Sequence, residues 1–263
     1  MRAVCSTLLV LALAAWTGTT GRAPSDIPAR RAAEDLLAKS MATYATLTSY
    51  ADSGTAMVEY GSVRDVGHFR TYRRKQPSDF YFEWGRQVKL YKTPGDSLPM
   101  PGKRMVFWMQ NGELQTYDKE TATHRTYPAG TSNQPSVLSA SKHATTETIT
   151  LIPSLLFSKA KLVGPLQEVS EISLAGIEEV GGHRCHKLVG IASSVYPSGA
   201  VTNVRPIAVW IDAQTMLIRK VFTDTPKGYG TNSISRFTWV LDPTPNPTLD
   251  DSKFQFTVPE TQP

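Results

Sequence analysis

The stretch Val180–Ile191, "VGGHRCHKLVGI", sets two histidines around a cysteine, and its local structure decides how the rest of the chain is read. On a helix, His183 and His186 would share one face and point to a metal or thiol site. Gly181-Gly182 before them and "LVGIAS" after them favour a strand instead. Residues three apart on a strand point to opposite faces. A zinc site also needs three or four converging ligands, and His68, His124 and His143 stand alone. A nucleophilic Cys185 would need a base, an orienting group and an oxyanion hole. His183 could reach it on the same strand face, but no helix N-terminus is at hand to lower the thiol pKa. The stretch therefore reads as a strand with Cys185 packed inside, with no metal and no catalytic residue.

The same period of two runs through most of the chain. "GTAMVEYG", "HFRTYRRK", "SDFYFEWG", "QVKLYK", "RMVFWMQ" and "ELQTYDK" are short, β-branched or aromatic, and divided by turn residues. After residue 165 come "QEVSEISLAGIEEV", "HRCHKLVGIAS", "RPIAVWIDA", "TMLIRKVFTD" and "NSISRFTWVLD". Asn111-Gly112 and "IDAQTM" (Ile211 to Met216) mark tight hairpins. Residues 27–50 read as a helix, capped by Ser25 or Asp26, with Pro28 in its first turn. Ala33, Leu37, Met41, Tyr44 and Leu47 give it one apolar face. Two short helices are expected between Pro135 and Lys161, and Lys92 to Lys103 reads as a Pro/Gly loop. The order predicts an α+β fold: about 11 mostly antiparallel strands, with helices against one face of a large sheet.

The N-terminus has the layout of a secretory signal peptide: Arg2, an apolar run from Val4 to Ala15, then small residues. That run is shorter than the roughly 20 residues a membrane-spanning helix needs. Cleavage after Ala14, Gly21 or Ala23 fits; we divide the chain into a signal segment 1–23 and a single domain 26–259. Export of the mature chain follows. Of the two cysteines, Cys5 leaves with the signal, so no intramolecular disulfide is expected. Lys plus Arg number 28 and Asp plus Glu 23, for a net charge of +5. The only dense basic run, Arg70 to Lys75, alternates with Phe69 and Tyr72 and reads as the solvated side of a strand. Nothing forms a basic stripe for nucleic acid, although peripheral contact with anionic lipid is compatible with the charge.

No G-x-S-x-G, H-E-x-x-H, P-loop or G-x-G-x-x-G pattern occurs, and "KGYGTN" lacks the third glycine. What does recur is apolar bulk on strands. Phe80, Phe82 and Trp84 share one strand face, as do Val106 and Trp108. Part of such a curved apolar face could be left for a ligand, so these five are the candidate ligand-lining residues.

The arrangement as a whole resembles the periplasmic LolA/LolB-like carriers and their predicted periplasmic relatives. The resemblance rests on "MATYATLTSYADSGTAMVEY" and "RKQPSDFYFEW" in the first half, and on "EEVGGHRCHKLVG", "VWIDAQTMLIRKV" and "LDDSKFQFTVP" in the second. It implies a strongly curved antiparallel sheet, an incomplete barrel, with the helices on its concave side. It also implies a non-catalytic carrier, without cofactor, for an acyl chain, lipid or lipoprotein. A monomer is expected, with lipid or an acylated protein as partner and other envelope proteins as further ones. The fold also leaves open an envelope protein-interaction or stress-sensing module without a small ligand. This chain departs from the carriers in its length, in the loop after Lys92, and in having no lipid-attachment cysteine.

Overall fold

Where apolar and polar residues alternate, the backbone extends, and where Gly or Asn tolerates positive φ, it reverses. Both rules operate in the computed structural model, which describes residues 26–60, 63–91, 97–100, 104–129, 137, 151–157, 166, 169–195, 201–225 and 235–259. Helix α1 (Asp26–Thr46) leads into β1 (Ser49–Tyr60), β2 (Val63–Arg74), β3 (Asp79–Tyr91), β4 (Ser97–Met100), β5 (Arg104–Gln110), β6 (Glu113–Asp118) and β7 (Thr123–Tyr127). A short helix α2 (Leu151–Phe157) precedes β8 (Val169–Val180), β9 (His183–Val195), β10 (Val201–Asp212), β11 (Ile218–Thr225), β12 (Ser235–Leu241) and β13 (Thr244–Pro245).

All thirteen strands join one curved, unclosed antiparallel sheet in the order β7-β6-β5-β3-β2-β1-β12-β11-β10-β9-β8, with β4 beside β3 and β13 beside β1. The β5–β6 hairpin turns at Asn111 (φ 52°) and Gly112 (φ 80°), as the Asn-Gly pair predicts. The β8–β9 hairpin turns at Gly181 (φ 58°) and Gly182 (φ 80°), so the HRCH stretch begins β9. His183 and Cys185 lie on one face and His186 on the other. Part of the expected Pro/Gly loop is strand β4; the rest of it, residues 92–96 and 101–103, lies outside the described residues. The signal segment and most of the first expected central helix lie there too.

The two faces of the sheet are covered differently. On the inner, concave face, Tyr50, Phe69, Phe80, Phe82, Phe107 and Trp239 belong to one apolar core with Ala33 and Tyr44 of α1 and Leu151 and Leu155 of α2. Helix α1 packs mainly against β8 and also touches β10 and α2. On the outer face, Tyr81, Val106, Trp108 and Tyr117 are buried under the C-terminal tail, through Phe254, Phe256 and Val258. A third, smaller cluster on the outer face holds Cys185, Ala208 and Trp210.

Candidate ligand-binding face

The inner face can be followed row by row through the strand register. One row runs Tyr50–Arg73–Phe80–Met109–Leu114–Tyr127 across β1, β2, β3, β5, β6 and β7. The next runs Asp52–Thr71–Phe82–Phe107, and the one beyond it Leu241–Gly54–Phe69–Trp84–Met105. Aromatic rings dominate, and two of them are set low against the backbone. A Cβ on Gly67 would overlap Nε1 of Trp84, and a Cβ on Gly54 would meet the Phe69 ring tip at 2.6 Å. Each ring therefore rests on the bare backbone of the next strand and leans over its neighbour instead of standing up from the sheet.

Few polar atoms interrupt this floor, and several have no partner. Among the described residues, Trp84 Nε1, Thr71 Oγ1 and Thr223 Oγ1 are buried without a hydrogen bond. An unpartnered buried polar group is costly, so these atoms are exceptions on an otherwise apolar face. Arg73 ends the floor beside α2, its guanidinium carbon 5.2 Å from the centre of the Phe157 ring. The same ring meets Phe80 edge-on at 4.9 Å.

Deeper in the core a buried polar cluster is satisfied. Tyr50 Oη donates to Asp52 Oδ2 at 2.7 Å, and the Asp242 N–H donates to Asp52 Oδ1 at 2.9 Å. Tyr44 Oη accepts the Ile218 N–H at 3.2 Å. Burial outweighs these bonds and pushes the Asp52 carboxyl up to about 7. Nearby, an open cleft of about 310 Å³ is lined by Ser53, Thr55, Val180, His183, Arg219 and Asp242, among others. Arg219 is already committed there: Nε donates to Asp212 Oδ2 at 3.0 Å and Nη1 to Asp242 Oδ1 at 2.7 Å, while Nη2 lies 3.2 Å from His183 Nδ1. The one guanidinium described in the cleft is therefore already held by two carboxylates. Burial, with the Asp212 carboxylate adding to it, raises the Cys185 thiol to about 11, the opposite of what a nucleophile needs. Among the described residues, no group of three or more His, Cys, Asp or Glu side chains could hold a metal ion.

The five expected lining residues do not share a face. Phe80, Phe82 and Trp84 lie on the inner face, exposed by 0%, 1% and 2%. Val106 and Trp108 lie on the outer face, where Trp108 stacks on His124 at 5.6 Å and meets Phe256 at 5.0 Å. The inner partners contributed by β5 are Met105 and Phe107. Arg70 to Lys75 is likewise not one solvated side. Arg70 faces outward to Glu83, Arg74 pairs with Asp79, and Arg73 turns inward. The alternation Phe69–Thr71–Arg73 carried that signal.

A family model described as "Predicted periplasmic protein (DUF2092)" matches residues 92–262. The chain belongs to this family. Its periplasmic description and the curved, unclosed sheet agree with the resemblance read from the sequence. Within the described part of this DUF2092 chain, no helix is long and apolar enough to cross a membrane. No curated protein matches the sequence. Among solved structures, the chain is similar to LprF from Mycobacterium bovis at 13% identity and a TM-score of 0.46, covering 88% of this chain and 97% of that one. It is similar to lipoprotein LppX from Mycobacterium tuberculosis at 13% identity and a TM-score of 0.40, covering 81% and 94%. A DUF1329 family protein from Desulfovibrio piger gives 16% identity and a TM-score of 0.31, covering 86% and 97%.

Proposed function

We propose that the protein, exported and freed of residues 1–23, is a non-catalytic carrier that takes an acyl chain of a lipid or lipoprotein onto its inner face. The observation that carries this reading is the low aromatic floor: Trp84 lies over Gly67 and Phe69 over Gly54, with Phe80 and Phe82 beside them. A ring held down on a glycine leaves the space above it to whatever covers the sheet. Here that cover includes α2, seven residues long. A helix of this length is too short to be stable by itself and holds its place through side-chain contacts. An acyl chain can supply the same contacts. Burying it yields about 0.8 kcal/mol per CH2, so fourteen carbons yield roughly 11 kcal/mol before ordering costs, enough for micromolar binding. Phe80, Phe82 and Trp84 would line the chain; Val106 and Trp108, beneath the tail, would not.

The test is a native mass spectrum of the mature protein from a periplasmic extract, with identification of any lipid that co-purifies. A stoichiometric acylated species, lost in a Trp84→Glu variant that keeps its native circular dichroism, is the expected result. A clean apo mass with no uptake of added hexadecanoate or lipopeptide would overturn the carrier reading and favour a protein-interaction module.

A further inference from the structure

We propose that Arg73 anchors the head of the acyl ligand, and that this head is anionic, a carboxylate or a phosphate. The inference rests on the carrier reading and adds the chemistry of the ligand's polar end. Arg73 stands in register between Tyr50 and Phe80 on the inner face, at the α2 end of the aromatic floor. Other arginines of the sheet hold carboxylates: Arg74 pairs with Asp79 and Asp251, Arg86 with Asp65, and Arg219 with Asp212 and Asp242. Arg73 makes no hydrogen bond or ion pair with any described residue; its contact is the face of Phe157.

The nearest acid in the neighbouring inner row, Asp52, is already held by Tyr50 Oη and the Asp242 N–H. Arg73 is half-buried, and burial lowers its pKa with no opposing acid among the described residues. A guanidinium withdrawn from water without a counter-charge is costly unless an anion completes it. Its planar fork of N–H donors fits a carboxylate or phosphate in two-point fashion, which an ammonium does not. From Arg73 the floor runs past Phe80 and Phe82 to Trp84, about 13 Å along β3, the scale of an acyl chain. The head would sit at the guanidinium and the tail would follow the rings.

The mature full-length protein, stripped of lipid, is titrated calorimetrically with hexadecanoate, hexadecyl phosphate and methyl hexadecanoate. One or both anions are expected to bind about tenfold or more tighter than the ester, the usual size of one charge-assisted contact. Whichever anion shows the preference identifies the head as carboxylate or phosphate. Arg73→Met should bring the anion-to-ester ratio close to one, and Arg73→Lys should keep part of it. If Arg73→Met does not fold, the preference must still shrink in Arg73→Lys and weaken with added salt. Equal affinities for anions and ester in the wild type, or a preference that survives Arg73→Met, would overturn the anchor while leaving the apolar carrier in place. Binding of none of the three ligands would remove both.

Discussion

Glu83 and Asp52 are two buried carboxylates on opposite faces of one sheet, and they are treated in opposite ways. On the outer face, burial works to raise Glu83, but Lys119 and Arg104 bond to it and Tyr81 adds a hydrogen bond, and together they hold it down at about 2. Its oxygens meet Arg70 Nη2 at 2.7 Å and Lys119 Nζ at 3.0 Å. On the inner face no described cation bonds to Asp52; the hydrogen bonds from Tyr50 and the Asp242 N–H and the more distant charge of Arg219 do not offset burial, and the carboxyl is pushed up to about 7. On the outer face the Glu83 cluster is matched in charge, and the aromatics beside it lie under the chain's own tail. Among the described residues, the inner face leaves Trp84 Nε1, Thr71 Oγ1 and the Arg73 guanidinium without a hydrogen-bonding partner. That difference is what supports the proposed placement of a ligand on the inner face.

The strongest way to break the comparison is to uncover the outer layer. Deleting residues 251–263 removes Phe254, which is fully buried, together with Phe256 and Val258 from over Tyr81, Trp108 and Tyr117. The expected loss is about 4–5 kcal/mol at roughly 1.5–3 kcal/mol per fully buried large apolar side chain. A urea midpoint unchanged by the deletion would show that the tail is not structural.

Proton linkage sharpens the comparison next. The folded-state pKa of Asp52, about 7, lies above its ordinary value of 3.8. The folded protein therefore holds a proton that the unfolded chain has already released, and stability falls as pH rises from about 4 to 7, then levels off. The slope approaches about 1.4 kcal/mol per pH unit at most, and the total is on the order of 4 kcal/mol. Asp52→Asn should flatten this part of the stability profile. Glu83 runs the other way. Its pKa is depressed, so its contribution is complete above about 4.5 and is lost as pH falls through about 2. Glu83→Gln at pH 7 leaves Arg70, Arg104 and Lys119 clustered without their shared carboxylate. The expected cost is about 2 kcal/mol, allowing for screening of the exposed arginines. A Glu83→Gln protein as stable as wild type would end the view of this group as the outer layer's charge centre.

Local chemistry was legible in the sequence, and contacts distant in the chain were not. Asn111-Gly112, Gly181-Gly182 and the turn after Asp212 each specify a reversal within a few residues. Strand period and turn chemistry sufficed for the α+β order of mostly antiparallel strands, whereas the curved, unclosed form of the sheet came from the family resemblance. Helix α1 ends at Thr46, four residues before the expected boundary, because Ser49 and Tyr50 extend to pair with Arg74 and Arg73 of β2. Strand β5 has two buried faces, so alternation could not tell which side of it was inner. Val106 and Trp108 are covered by a segment about 150 residues further on, and nothing local announces that cover. Arg73 was hidden by its charged neighbours: in "RTYRRK" the density of charge masks the alternation that turns one arginine inward.

The smallest expected effect tests the floor itself by comparing two glycines of neighbouring strands that serve opposite faces. At Gly85, on the outer face, an added Cβ would find only the Arg104 Cγ, at 3.8 Å. Gly85→Ala should change stability by no more than a few tenths of a kcal/mol. At Gly67 the added carbon would overlap the Trp84 indole, a rigid ring only 2% exposed. The ring must lift away from the sheet into the space above the floor, at a cost of about 1.5 kcal/mol by analogy with other overpacked sites. If that space belongs to the ligand, Gly67→Ala should weaken hexadecanoate uptake by more than its stability loss explains. A lifted ring would otherwise add only local strain. Equal melting curves and equal uptake for the two alanine variants would mean that the low aromatic floor is incidental, and the carrier reading would lose the observation it stands on.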